Sequence, residues 1–80
     1  MSDSEAKAFG DALREVRAEL DLSQEEAAHI CNIDRGYFGS LERAEKAPTL
    51  TMLWRLARGL EVQPSELLAR SEQILDEAAG

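Results

Sequence analysis

The sequence predicts a single all-α domain of five helices, and three observations lead there. Ala, Leu, Glu and Arg, all strong helix formers, dominate the 80 residues. Apolar residues recur at intervals of three and four, and strand signals are nearly absent. The breaks between periodic stretches are short and carry capping and turn residues. At 44% apolar and with two prolines, the chain has enough hydrophobic surface for a compact bundle, near the low end of self-sufficient domain size. No apolar run approaches the ~20 residues of a membrane span, so no membrane partner is expected. The start, MSDSEAKAF, is acidic and polar rather than a signal peptide, which points to the cytoplasm. The lone cysteine, Cys31, excludes an internal disulfide and fits a small core position.

The first helix is expected over about 5–20, opened by a cap at Ser4 or Asp3, with Phe9, Leu13, Val16 and Leu20 on one face. Gly10 lies inside it, where alanine would be favoured by roughly 1 kcal/mol, and so marks a place of close packing. Ser23 followed by Glu26 is a capping box, starting a second helix over about 24–31. Asn32 tolerates the left-handed conformation that ends helices, Ile33 is an apolar plug, and Asp34 caps the next element. The third helix covers about 35–44, with Phe38 and Leu41 inward and Arg35, Ser40 and Arg43 outward. Thr49 caps a fourth helix over about 50–59, whose Leu50, Leu53, Ala57 and Leu60 keep the helical period. Pro64 opens a fifth that reaches about 78 and carries Leu67, Leu68, Ile74 and Leu75.

Two short helices joined by a tight turn, the second with an exposed polar N-terminal half, form the geometry that places a helix in the DNA major groove. The net charge of −7 argues against a nucleic-acid partner, but it is unevenly spread. Residues 35–58 carry a balance of +3 and the remainder −10. An acidic body with one less acidic face is compatible with DNA binding and implies weak non-specific affinity. One His, one Cys, no glycine-rich phosphate loop and no paired metal ligands leave nothing from which to build an enzyme or a cofactor site.

LSQEEAAHICNIDRGYFGSLER resembles the helix-turn-helix of Cro/cI-type (Xre family) repressors, and PTLTMLWRLARGLEVQPSELL resembles that family's fourth and fifth helices. With LREVRAEL the resemblance covers about residues 9–68. It implies a compact five-helix bundle of the lambda-repressor-like type, one domain over residues 1–80 with the helix-turn-helix at about 23–43, and sequence-specific regulation of transcription. The restriction–modification controller proteins are similar small members. The resemblance assigns base contacts to Arg35, Gly36 and Ser40. Arg35 would take a guanine through a bidentate contact, worth about 1–3 kcal/mol of discrimination. Asp34, at the entrance to the third helix, is a further candidate as acceptor for a cytosine amino group. Ser23 and Gln24 stand beside a phosphate, and Tyr37, Arg43 and Lys46 are further backbone candidates. Arg17 and Glu42 match the family's ion pair between the first and third helices.

Two departures from the family pattern stand out. Ala44 replaces the usual glycine after the third helix, so the turn must avoid or tolerate a left-handed alanine. Glu45 occupies a loop often rich in basic residues. The family commonly binds as a two-fold dimer on double-stranded DNA, and Met52, Trp54, Ile74 and Leu75 are the candidates for the dimer face. Trp54 fits the core equally well, and Ile74 and Leu75 have a rival place against Phe9 and Leu13 of the same subunit. The competing functional class is an antitoxin-like module whose acidic surface docks a basic protein partner; Arg35 and Gln24 would then be free to vary, although many antitoxins also bind DNA.

Overall fold

The computed structural model describes residues 1–79 and contains five helices: α1 (Asp3–Glu19), α2 (Gln24–Ile30), α3 (Arg35–Glu42), α4 (Leu50–Leu60) and α5 (Pro64–Ala79). No strand occurs among the described residues. No helix there is long and apolar enough to cross a membrane.

Helix starts follow the side chains that can satisfy orphan amides. α1 begins earlier than expected, capped by Ser2 rather than Ser4 or Asp3. The reason is local: Ser2 alone of the three has a glutamate three residues on. Its Oγ accepts from the Glu5 amide at 3.2 Å while the Glu5 carboxylate accepts from the Ser2 amide at 2.7 Å. The Ser2 amide, with the Ser2 hydroxyl second, holds the Glu5 carboxyl below its usual range. Ser23 and Glu26 form the same box at α2, with distances of 3.1 and 2.9 Å. Asp34 and Thr49 cap α3 and α4 by accepting from the Tyr37 and Met52 amides.

Helix ends share one device. Asp21, Asn32, Ala44 and Glu61 all have φ near 60°, and none is glycine. Each is flanked by the paired backbone bonds of a Schellman turn, such as Leu22 N–H to Arg17 O and Asp21 N–H to Ala18 O, both 3.0 Å. A non-glycine residue in this region costs about 1–2 kcal/mol, less for Asn and Asp. At three of the four turns the residue after the left-handed one is apolar (Leu22, Ile33 and Val62), and each packs against the core. At the fourth, after α3, that residue is Glu45, and it is exposed.

The core joins all five helices: Phe9, Leu13 and Val16 of α1, Ala27 and Ala28 of α2, Phe38 and Leu41 of α3, Leu53, Leu56, Ala57 and Leu60 of α4, and Leu67 of α5. Cys31 is buried among them, and burial pushes its thiol up to about 11. Two expected members lie outside. Leu20 is exposed because α1 has already ended there, and Leu50 is 75% exposed at the first position of α4.

α5 returns along α1, and this pairing gives Ile74 and Leu75 the place expected as the rival to a dimer face. Both are half-buried, lining a groove with Ala8 and Asp11 of α1. Arg70 fixes the pairing from α5. Its two terminal nitrogens each donate at 2.7 Å to a different oxygen of Glu19, and NH2 reaches Glu66 at 3.1 Å. The guanidinium holds the exposed Glu19 carboxyl below its usual range.

Gly10 sets how closely α1 approaches the end of α3. A Cβ there would stand 2.6 Å from the Glu42 carbonyl oxygen and 2.7 Å from that of Leu41. Both are backbone atoms that cannot swing aside. Gly10→Ala gains about 1 kcal/mol of helix propensity, but the clash costs more. The expected net destabilisation is about 1–2 kcal/mol by urea denaturation; an unchanged or raised midpoint would contradict the close approach.

Candidate nucleic-acid interface

The candidate site is the outer face of α3, and its orientation rests on Glu42 at the opposite edge. The Glu42 side chain is fully buried, 0% exposed. Arg17 of α1 grips it with a fork, Nε to Oε2 at 2.7 Å and NH2 to Oε1 at 3.1 Å, while Arg17 NH1 donates to the Leu22 carbonyl at 3.0 Å. Gln24 of α2 donates its side-chain amide to Oε1 at 2.7 Å. Arg14 donates to the Glu42 backbone carbonyl at 3.3 Å. One carboxylate therefore ties α1, α2 and α3 together with its lone pairs satisfied. The Arg17–Glu42 pair was expected; the parts played by Gln24 and Arg14 were not. Gln24 thus spends one side-chain N–H on the scaffold, which leaves its expected phosphate contact to the second N–H and the backbone amide.

On the outside, Arg35, Gly36 and Arg43 are exposed. Arg35 takes part in none of the ion pairs among the described residues. A Cβ on Gly36 would meet only Asp34 Oδ2, at 3.0 Å, so the backbone here is open to close approach. Asp34 is exposed, with Oδ2 engaged by the Tyr37 amide at 3.0 Å. Gly39, not anticipated from the sequence, lies on this side of α3 between Arg35 and Arg43 but is buried. A side chain there would press on Arg43 NH1 and Gln24 Oε1.

Ser40 does not belong to this face. It is only 6% exposed, and its hydroxyl donates to the Tyr37 carbonyl at 2.6 Å. At about 100° per residue, five residues from Arg35 carry it roughly 140° round the helix, onto the flank. The two backbone candidates Tyr37 and Lys46 stand together, with the Lys46 ammonium 5.6 Å from the Tyr37 ring centroid, a cation–π distance. Arg43 is committed to Glu45 through two bonds, Nε to Oε2 at 3.0 Å and NH2 to Oε1 at 3.2 Å. That pairing holds the Glu45 carboxyl below its usual range.

On α4, Met52 packs against the core, whereas Trp54 is 52% exposed and sits one turn from the exposed Leu50. Arg55 and Arg58 border the same shallow surface. Among the described residues no three His, Cys, Asp or Glu side chains converge as a metal site.

Residues 13–67 match the helix-turn-helix family HTH_3. The control protein C.SmaI of Serratia marcescens is 41% identical over 62 residues, spanning 78% of this chain and 74% of that protein. The control protein C.MunI of Mycoplasma sp is 36% identical over 66 residues, 81% of this chain and 89% of its own length. Among solved structures, the restriction-modification controller protein C.AhdI from Aeromonas hydrophila superposes with a TM-score of 0.75 at 39% identity, covering 78% of this chain and 94% of that one.

Removing one partner of a buried pair leaves the other charge uncompensated. Arg17→Ala is expected to destabilise the fold by about 3 kcal/mol, measured by urea denaturation. A loss below about 1 kcal/mol, the range of an exposed pair, would show that Glu42 does not depend on Arg17.

Proposed function

The chain belongs to the HTH_3 helix-turn-helix family, and on that premise we propose that it regulates transcription as a controller-type protein, two copies binding one two-fold DNA site. The observation that carries this reading is Arg35: exposed, free of ion pairs, and projecting from the start of a helix braced on a buried carboxylate. α3 enters the major groove with its N-terminal half first, and Arg35 takes a guanine edge through both arms of its fork. Gly36 lets the helix backbone come close. Asp34 keeps its capping bond and offers its second oxygen to a cytosine amino group. Ser23, Gln24, Tyr37, Arg43 and Lys46 contact the DNA backbone, which positions α3 without reading sequence. Ser40 has no place in this set, since its hydroxyl is spent on Tyr37.

Residues 1–80 act as one domain. The dimer forms through the exposed Leu50 and Trp54 of α4, which present more apolar surface than the half-buried Met52, Ile74 and Leu75. The acidic remainder of the chain repels DNA and keeps binding dependent on the α3 contacts. A cytoplasmic regulator without cofactor follows, and no catalytic step enters the reading.

Selection from random duplex DNA is expected to recover a two-fold sequence. Arg35→Glu should then lose about 100-fold or more of the affinity for it, two bidentate contacts being removed per dimer, with far-UV circular dichroism unchanged. Undiminished binding by that variant would overturn the role given to Arg35. In sedimentation the wild type is expected to run as a dimer and Trp54→Glu as the 8.8 kDa chain; a variant that still dimerises would place the interface elsewhere.

A further inference from the structure

Arg43 stands at the edge of the α3 face, yet it is not free to meet a phosphate. Its fork is filled by Glu45, two N–H groups on two carboxylate oxygens at 3.0 and 3.2 Å. This is the geometry with which a guanidinium holds a phosphate. Both side chains are more than half exposed, so nothing but the pair itself holds them together. The guanidinium also lies across Gly39, with NH1 2.9 Å from where a Cβ would be. It therefore covers part of the surface that approaches DNA.

The backbone explains why Glu45 is there. The Schellman turn after α3 fixes it, with its amide donating to the Ser40 carbonyl at 2.9 Å. At the corresponding place the other three turns carry Leu22, Ile33 and Val62 packed on the core. A carboxylate has no role in such a contact. Instead it turns outward to the arginine two residues before it.

We propose that Glu45 is an intramolecular rival of the DNA phosphate for Arg43, and so sets how tightly this protein holds the DNA backbone. The proposal rests on the reading that α3 faces DNA, and it adds a residue that controls affinity without touching a base. While the pair is closed, Arg43 contributes no net charge to the encounter, and DNA gains the contact only by displacing Glu45. The effect is the same on every sequence, because phosphates carry no sequence information. Glu45 thus lowers affinity for specific and arbitrary DNA alike and leaves the ratio between them unchanged.

The test is a double-mutant cycle of wild type, Glu45→Gln, Arg43→Gln and the double variant. Each is titrated by fluorescence anisotropy, over a salt series, with the duplex recovered by selection and with a scrambled duplex of equal composition. Glu45→Gln is expected to tighten both complexes by about two- to fivefold for each bound copy, the range of an exposed ion pair. It should also steepen the log–log salt slope by about 1.8, one more phosphate contact from each of the two copies. In the Arg43→Gln background the same change should gain much less. An equal gain with and without Arg43 would overturn the proposal, since Glu45 would then act only by repelling DNA through space. So would no gain in Glu45→Gln where the wild type binds. If the wild type holds neither duplex, the DNA-binding reading fails and the proposal falls with it.

Discussion

The arrangement of the first three helices depends on a carboxylate that has been taken out of water. Glu42 is fully buried and receives side-chain donors from Arg17 on α1 and Gln24 on α2. Such a group adds little to stability compared with a well-packed apolar residue of similar volume. What it adds is definition. A greasy contact tolerates sliding, whereas a carboxylate with two bidentate nitrogens and a third donor is satisfied in one arrangement only. The angle between α2 and α3, on which the use of α3 depends, is set by that arrangement. Gly10 supports it from the other side, since only a missing Cβ lets α1 sit against the Leu41 and Glu42 carbonyls.

Around this centre the fold is assembled from local devices. Side chains cap the starts of α1 to α4, and left-handed residues close their ends. The turns accept strain at Ala44 and Glu61 that glycine would have avoided. In return, the residue after three of these turns is an apolar side chain seated on the core. The short α2 and α3 would not persist alone at seven and eight residues. They are held by Phe38, Leu41, Ala27 and Ala28 packing into the bundle.

Much of this was legible in the residues because much of it is local. The Ser23–Glu26 box, the left-handed Asn32, the Ile33 plug and the Asp34 cap each depend on neighbours within a few positions, and each stands where the sequence puts it. The cap of α1 differs from the Ser4 or Asp3 expected because only Ser2 has a glutamate, Glu5, three residues on to close the box. Other differences arise where helix phase or tertiary packing decides. Ser40 has the composition of an outward residue but lies too far round α3 from Arg35. Ile74 and Leu75 suit a dimer face or a place against α1 equally by composition. Only the path of α5, tied to Glu19 by Arg70, shows that they lie along α1 half-buried. Leu50 keeps the helical period of the core yet stands at the end of its helix, clear of it. Nothing in the spacing alone distinguishes Gly39, whose importance comes from what lies across it.

The remaining face of α3 is small and sparsely furnished: one arginine outside the ion pairs of the described residues, one exposed glycine, and a second arginine engaged by its own glutamate. On a chain of net charge −7 this makes binding depend on fit rather than on general attraction. The central claim is that this face reads the major groove, and methylation interference on the duplex recovered by selection tests it most directly. The account predicts that methylating guanine N7, which lies in the major groove, blocks binding at one or more guanines in each half-site. Methylating adenine N3 in the minor groove should leave those half-sites bound. Interference confined to adenine N3 would contradict it.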